Sequence, residues 1–375
     1  MKISVSAPAG LEGVTKRELY NLIKVDASAI NGRLQFDGDI KTVAFLNLHM
    51  RTASRVYIVI GSFKVSNFDD LFDGVKNLNF ENYVSDIGQI NVYGTAVEST
   101  LMSTSACASI IKKAICTRLE SVYKKPLLES GERYRIEFNL RRDYLTISLD
   151  TSGEGLHKRG YRKNASGDAP LKENVAGALL SLSVWNKSKP FADLFCGSGT
   201  LPIECAMKAK NIPAGLNRDF DFLHYKNFDL SFYSQMLESA KSQIDNNYQG
   251  EIFACDIDAK QIERAKYHAR LAGVGEIINF KVQDMREFSS TTPYGVIVTN
   301  PPYGERLLTR NEIVSLYKDY GKTYQKLDKW SAYTLTSVTD FERLFGKKAL
   351  KKRKVFNGKL ECWFYQVMGE KPQKN

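Results

Sequence analysis

The sequence predicts two architectures in series: an α+β region over the first third, then an α/β domain with a mostly parallel sheet. Three observations carry this. From Ala169 onward, strand-like and helix-like runs alternate, the pattern of a parallel sheet covered on both faces. Before that, "RYRIEFNLRRDYLTISLDTSG" alternates apolar and polar residues on either side of a turn, which reads as an antiparallel hairpin. Near the end, Asn357-Gly358 lies between two further alternating runs and predicts a closing hairpin. The last strand should therefore enter the parallel sheet antiparallel.

In chain order, "KISVSAP" reads as a strand and "LEGVTKRELYNLI" as a helix. "AINGRLQFDG" reads as one further strand, and "DIKTVAFLNLHM" as a helix opened by Asp39. The alternating run Arg55–Phe63 is a strand, and "FDDLFDGVKNL" a short helix. A strand ("QINVYGTAV") and a long helix ("SACASIIKKAICTRLESVY") precede the hairpin. This third has no glycine-rich loop, which argues against a nucleotide site there. "GEGLHKRGYRKNASGDAP" is rich in Gly, Lys and Arg and poor in large aliphatics, so it reads as a linker.

Beyond the linker, "KENVAGALLSLSVW" is a helix, "KPFADLFC" a strand and "TLPIECAMKAKNI" a helix. The irregular insert "PAGLNRDFDFLHYKNF" leads into the helix "SFYSQMLESAKSQI". The strand "EIFACDID", the helix "AKQIERAKYHARLAG", and the strands "IINFKVQD" and "YGVIVTN" follow. The helix "NEIVSLYKDYGKTYQKL" and the strand "WSAYTLTS" complete the alternation.

The 375 residues suggest two or three domains, and the 43% hydrophobic content supports real cores. No run is apolar enough to span a bilayer, and "MKISVSAPAG" lacks the apolar core of a signal peptide. The six cysteines and four histidines are scattered, which suggests neither a metal site nor a disulfide framework and fits a reducing cytoplasm. A monomer is the expected state. The net charge of +11 favours a polyanionic partner, with nucleic acid the commonest. Lys112, Lys113 and Arg118 on the long helix, and Arg141 and Arg142 in the hairpin turn, are either a solvated face or a phosphate-contacting surface. The cluster His157, Lys158, Arg159, Arg162 and Lys163 is either a solvated hinge or a grip on a phosphate backbone beside an active site. "KKALKKRK" either contacts RNA or protects a sheet edge.

Four strand ends carry the chemistry. "FADLFCGSGTL" places a glycine turn between strand and helix, where Gly197 and Gly199 let backbone approach a ligand. Residue 202 is Pro where a dinucleotide fingerprint has its third glycine, so the turn is not tuned for a pyrophosphate. Asp193, just before the turn, suits an ammonium group. "ACDID" ends its strand in Asp256, which can accept both hydroxyls of a ribose, and Asp258, which suits a helix cap. "VQDM" ends its strand in Asp284, placed to accept from an adenine amino group. "VTNPPYGERL" ends a buried strand in Asn300, Pro301, Pro302 and Tyr303. Proline cannot donate to a sheet ladder, so the strand stops there and Asn300 is held extended.

In this order, the set FCGSGT, CDID, QD and NPPY resembles S-adenosylmethionine-dependent methyltransferases that modify exocyclic amines. "LHKRGYR", "APLKENVAGALL", "FCGSGTLPIECA", "NPPYGERL" and "NGKLECWFYQ" extend the resemblance, over essentially the whole chain, to the bacterial THUMP-domain RNA guanine-N2 methyltransferases. The resemblance implies a ferredoxin-like α+β segment over residues 1–55 and a THUMP RNA-binding region over roughly 44–153. It implies a basic linker over 154–170 and a Rossmann-like methyltransferase domain over 165–375. The cofactor would be S-adenosylmethionine, held by Asp193, Phe195, Cys196, Gly197, Gly199, Thr200, Asp256, Ile257, Asp284, Met285 and Asn300. Pro170–Asn174 would close over it. Leu194 stands where such enzymes often have Pro. A second methyltransferase fused in some relatives is expected to be absent.

The amine of a base is a poor nucleophile, its lone pair being delocalised into the ring. Asn300 Oδ1 and the Pro301 carbonyl can accept one N–H each, freeing that pair, while Tyr303 stacks on the target base. A base in a duplex must first be flipped or already be unpaired. The expected activity is N2-methylguanosine formation in large-subunit ribosomal RNA, with tRNA as a weaker candidate. Adenine-N6 methylation of RNA or DNA uses the same clamp, and a non-catalytic RNA-binding assembly factor is the third reading.

Overall fold

The computed structural model describes residues 1–30, 32–162, 170–303, 309–358 and 360–370. It divides into two compact units. Unit 1 comprises Met1–Ala7, Leu19–Leu156 and Arg218–Ser239, and unit 2 comprises Pro8–Glu18, His157–Asn217 and Ala240–Asn375.

Unit 1 is built on a seven-stranded sheet. Its strands are β1 (Lys2–Ser6), β2 (Ser28–Ile30), β3 (Arg33–Asp37), β4 (Arg55–Lys64), β5 (Gln89–Val97), β6 (Arg133–Arg141) and β7 (Tyr144–Asp150). Their spatial order is β2-β3-β1-β4-β7-β6-β5. The helices are α1 (Glu12–Ile23, which begins in unit 2), α2 (Ile40–His49), α3 (Phe68–Lys76) and α4 (Thr104–Tyr123). Asp39 does cap α2, accepting from Thr42 N at 2.8 Å. β5 and β6 are parallel, so α4 serves as their crossover. Cys107, Ile111, Ala114, Ile115 and Leu119 of α4 recur at helical spacing and are all buried in the unit's core.

"AINGRLQFDG" departs from the single strand expected of it. It forms two antiparallel strands, β2 and β3, with Ser28 opposite Gln35 and Ile30 opposite Arg33. The Asn-Gly dipeptide inside that stretch is itself a hairpin signal, and Gly32 takes the positive φ of +76° that a tight connection needs. The β6–β7 turn uses Arg142 and Asp143, both left-handed, at φ +51° and +60°. The Asp143 carboxylate offsets that cost by accepting from Thr100 N at 2.6 Å and Thr100 Oγ1 at 3.2 Å.

The insert after residue 217 belongs to unit 1, although the surrounding sequence alternates as an α/β domain. Phe220, Phe222 and Tyr225 are buried in the core of unit 1. Tyr225 stacks on Tyr134 with ring centroids 4.6 Å apart, and its hydroxyl donates to the Asp150 carbonyl at 2.6 Å. Arg218 donates to the carbonyls of Ser152, Glu154 and Gly155 at 2.8, 2.6 and 2.7 Å. These aromatics dock on a sheet built far earlier in the chain.

Unit 2 contains a second seven-stranded sheet. In chain order its elements are α5 (Glu173–Leu182), β8 (Phe191–Asp193), α6 (Thr200–Ala209), the C-terminal end of α7 (Tyr233–Ser242), β9 (Ile252–Asp256) and α8 (Ala259–Leu271). There follow β10 (Asn279–Val282), β11 (Val296–Thr299), α9 (Arg310–Gln325), β12 (Ser331–Thr336), α10 (Phe341–Phe345), β13 (Lys351–Asn357) and β14 (Leu360–Val367). The order is β10-β9-β8-β11-β12-β14-β13. The first five strands are parallel, and β14 runs antiparallel to both β12 and β13, as the terminal Asn-Gly predicts. Strand order reverses between β8 and β11, so the sheet has a topological switch point there, the place where open α/β sheets bind ligands. β8 and β11 are buried along their whole length.

Replacing Tyr225 by Ala should destabilise unit 1 by roughly 3–5 kcal/mol, the usual cost of truncating a buried aromatic side chain. Hydrogen exchange should accelerate at the amides of β6 and β7. Acceleration confined to β11 and β12 would contradict the placement of the insert.

Candidate active site

A cavity of ≈ 670 Å³ opens at the carboxyl ends of β8, β9, β10 and β11. β8 ends in Asp193, which is only 2% exposed. Its Oδ1 accepts from Thr299 Oγ1 at 2.6 Å and from Phe195 N at 3.2 Å, tying the end of β11 to the turn after β8. Burial pushes the Asp193 carboxyl up to about 7, against the pull of those two hydrogen bonds, and the nearby Asp256 adds to the rise.

The glycine turn is closed by Gly199 N donating to the Cys196 carbonyl at 2.8 Å and Cys196 N to the Cys255 carbonyl at 2.9 Å. The two glycines have different jobs. Gly197 has φ +49° and open space where a side chain would project, so it lets backbone border the cavity. Gly199 has φ +87°, and a Cβ there would lie 2.9 Å from Ala265 Cβ. It does not line the cavity and instead lets α6 pack closely on α8. Cys196 and Phe195 do line the cavity. Burial raises the Cys196 thiol well above its ordinary range, so it is a neutral wall group. Phe195 meets Tyr320 edge-on with centroids 5.8 Å apart.

Asp256 Oδ2 accepts from Gly197 N at 2.8 Å, and its Oδ1 from Asp258 N at 3.0 Å. Asp258 caps α8 through Lys260 N at 2.9 Å, which leaves Asp256 as the strand-end carboxylate. Beside it Ile257 is 71% exposed and lines the cavity, an apolar surface without a protein partner covering it. Asp284 is engaged by Arg286, whose backbone N–H donates at 2.9 Å and whose Nη1 donates at 2.7 Å. Met285 is buried behind it.

β11 stops at Thr299. Asn300, Pro301, Pro302 and Tyr303 all line the cavity. Asn300 Oδ1 is buried and has no hydrogen-bond partner among the described residues. Tyr303 is half-buried against the core, and its hydroxyl accepts from Asn357 Nδ2 at 2.9 Å. Burial raises the Tyr303 hydroxyl, with the Asn357 hydrogen bond acting the other way. Pro170 and Leu171 complete the wall on the side of α5.

Of the residues that the sequence places around the cofactor, all but Gly199 and Lys172–Asn174 border this cavity. Sequence reasoning missed Ser198, Leu201, Gln261, Leu316 and Asn357. Gln261 and Leu316 lie on α8 and α9, and no local pattern says which helical turn faces a cavity. Asn357 was legible only as half of a hairpin turn.

The expected phosphate contacts require correction at two positions. Arg159 is 2% exposed and pairs with Glu204, Nε to Oε1 at 3.1 Å and Nη2 to Oε2 at 3.2 Å. Arg162 is also held internally, with Nη1 3.1 Å from Glu173 Oε1. A guanidinium committed to a buried carboxylate is a structural cation, not a surface contact. Lys158 is exposed and His157 half-buried, and Lys163 lies outside the described residues. In unit 1, Lys112 pairs with Glu129 at 2.8 Å and Arg142 with Glu98 at 2.8 Å. Lys113 sits over the Phe72 ring at 5.9 Å, and Arg141 is exposed. The "KKRK" of β13 forms the exposed edge strand.

Comparison with known proteins bears on this geometry. Residues 159–366 match the family described as the RMKL-like methyltransferase domain, residues 2–57 the RlmL ferredoxin-like domain and residues 65–150 the THUMP domain. The chain belongs to the RMKL-like methyltransferase family. YpsC of Bacillus subtilis strain 168, provisionally named an RNA methyltransferase, is 40% identical over 98% of this chain and 96% of its own length. The crystal structure of SMU.472, provisionally described as a methyltransferase and complexed with SAH, has a TM-score of 0.94 at 39% identity over 99% of both chains. A Listeria monocytogenes protein, provisionally described as an N6-adenine-specific DNA methylase, has a TM-score of 0.93 at 40% identity, covering 98% of this chain and 96% of that one. TrmN from Thermus thermophilus shares the fold at 17% identity, with a TM-score of 0.73.

The Asp193 environment gives this methyltransferase a distinctive pH response. The folded chain holds the Asp193 proton more tightly than the unfolded chain does. Its contribution to stability is therefore full below 3.8 and is lost as pH rises towards about 7. The loss amounts to up to about 4 kcal/mol. Asp193→Asn keeps an oxygen for Thr299 and Phe195 and should flatten this dependence, as read from denaturant midpoints at acid and neutral pH. A variant that tracks the wild type across the whole range would exclude Asp193 as the source.

Proposed function

We propose that this RMKL-like methyltransferase methylates the exocyclic N2 amine of a guanosine in RNA, with 23S ribosomal RNA as the target. One observation carries the reading: Asn300 Oδ1 is a buried acceptor with no hydrogen-bond partner among the described residues, set beside Pro301 on the cavity wall. A buried acceptor left unpaired costs about 1–3 kcal/mol. A bound amine removes that cost by donating to it. The RlmL-type ferredoxin-like and THUMP regions, together with the net charge of +11, support RNA as the partner. The six cysteines are all free, which fits a cytoplasmic setting.

The cofactor is S-adenosylmethionine, and the cavity suits it. Gly197 leaves room for close approach, Asp256 stands at the strand end where a ribose is held, and Ile257 offers an apolar face to a base. Asp284 and Met285 border the same end, and buried Asp193 is matched to an ammonium group. When bound, the cofactor supplies an electrophilic methyl on a sulfonium centre.

The chain's own part is placement and charge. Asn300 Oδ1 and the Pro301 carbonyl each accept one amine N–H. That withdraws the nitrogen lone pair from ring conjugation and stabilises the positive charge that grows on nitrogen. The proline pair limits reorganisation of the carbonyl. Neither acceptor removes a proton, so the surplus proton leaves to solvent after transfer. Tyr303 forms the adjoining wall, its hydroxyl tethered by Asn357, with its ring available to the target base from one side.

The same two acceptors suit the N6 amine of adenine. The Listeria relative's description makes this the second reading. A role confined to RNA binding gives Asn300 no reason to bury an oxygen that is unpaired among the described residues.

Asn300→Ala should lower methyl transfer by about 10²–10³-fold, the range for removing one oriented polar group from a transition state. Cofactor affinity should stay within about twofold. Retained turnover would remove the clamp. Incubating the wild type with labelled S-adenosylmethionine and unmodified rRNA, tRNA or DNA, then digesting to nucleosides, separates the readings. N2-methylguanosine from rRNA is expected, and N6-methyladenosine as sole product would overturn the guanine assignment.

A further inference from the structure

Asn357 is the last residue of β13, where the closing hairpin turns. It is half-buried and lines the cavity. The other polar side chains described on the cavity wall come from the ends of β8, β9, β10 and β11, from the turns that follow them, and from α6 and α8. Asn357 is therefore the polar group that the terminal hairpin brings to the wall, among the described residues.

Its amide is held at one end. Nδ2 donates to the Tyr303 hydroxyl at 2.9 Å. Asn300 and the fully buried Cys362 face that same hydroxyl. A thiol sulfur is a weak acceptor, so the hydroxyl can turn its proton to Cys362 and keep a lone pair for Nδ2. Asn357 Oδ1 is then the amide atom left over, and it accepts no hydrogen bond among the described residues. Two amides thus flank the hydroxyl end of one aromatic ring. Asn300 brings a buried acceptor that is unpaired among the described residues, and Asn357 brings a second.

Purines differ at the ring atom next to the amine. Guanine has N1–H beside its N2 amine, which is a donor. Adenine has an unprotonated N1 beside its N6 amine, which is an acceptor. A base laid on the Tyr303 ring with its amine at Asn300 turns this edge towards the hydroxyl end of the ring. An acceptor waiting there suits guanine. With adenine it would set two lone pairs against each other, so one oxygen both attracts the right base and repels the wrong one.

We propose that Asn357 selects guanine over adenine, its Oδ1 accepting from N1–H of the target base. The inference rests on the N2-amine reading of the Asn300 clamp. It supplies what that clamp lacks, because Asn300 and Pro301 accept either amine equally well. Tyr303 and Cys362 are then positioning residues for the amide, holding it with the oxygen free. The choice of base is made by the terminal hairpin, an element outside the strand–helix alternation that holds the cofactor.

The test uses the full chain and a short rRNA fragment around the guanosine that the wild type methylates. The fragment is made with guanosine or with 2-aminopurine at that position. 2-Aminopurine keeps the 2-amine but has an unprotonated N1, as adenine does. Wild type should prefer guanosine by about 10–100-fold in kcat/KM, the range for one base-reading contact. Asn357→Ala should cut that preference by about 10-fold, slowing guanosine far more than 2-aminopurine. Asn357→Asp, which keeps an acceptor and has no donor, should retain it. Asn357 does not share the left-handed backbone of Gly358, so either replacement fits its conformation. The intrinsic reactivity of the two amines cancels between variants, and a merely structural fault in the hairpin would slow both substrates alike. A wild-type preference kept by Asn357→Ala, or lost in Asn357→Asp, would overturn the assignment. N2-methylation by wild type without any preference would overturn it too and leave the amine clamp standing. No methylated guanosine from any RNA would instead overturn the N2-guanine reading on which the inference rests.

Discussion

The end of β11 is the constraint on which the cavity depends. Two consecutive prolines deny the sheet further donors, so the chain leaves the ladder at Asn300 with its side-chain oxygen buried. One residue earlier, Thr299 donates to Asp193 and holds β11 against the turn that follows β8. The switch point between these two strands therefore carries a rigid acceptor on one side and a glycine turn on the other. Leaving a buried acceptor unpaired is unfavourable, and such strain is concentrated at functional sites.

The carboxylates around the cavity have a second property. Each already accepts hydrogen bonds from the chain: Asp193 from Thr299 and Phe195, Asp256 from Gly197 and Asp258, Asp284 from Arg286. These bonds shape the turns before any ligand arrives. A carboxylate has about four lone-pair sites, so a ligand can share these groups without breaking the turns. The basic connector behaves similarly. Arg159 and Arg162 sit in buried pairs with Glu204 and Glu173, where loss of one partner would strand a charge in the interior.

Unit 1 presents its basic residues differently. Lys112 and Arg142 are paired with Glu129 and Glu98, but these pairs lie at the surface. Exposed pairs contribute little to stability and are screened by salt, so they can yield to a phosphate backbone. The insert Arg218–Ser239 ties residues of the second half of the chain into this unit's core. Its aromatic side chains, Phe220, Phe222 and Tyr225, are buried in that core beside residues of the first 156.

The sequence by itself determined the alternation of elements, the antiparallel closing hairpin and the four strand ends that meet at the cavity. These features are local: proline stops a ladder, glycine admits a turn, and an apolar run with period 2 or 3.6 declares its element. The same locality singled out Asn300, Gly197 and Asp256, which all border that cavity. Only the tertiary structure decided that Gly199 packs against Ala265 and does not line the cavity, and that Asn357 from the last hairpin reaches Tyr303. It alone decided that the 218–239 insert joins unit 1 and that Arg159 and Arg162 are interior. Each of these outcomes depends on which distant partner occupies the space beside a residue, and a composition rich in Lys and Arg looks the same whether its charges end in solvent or against a buried glutamate.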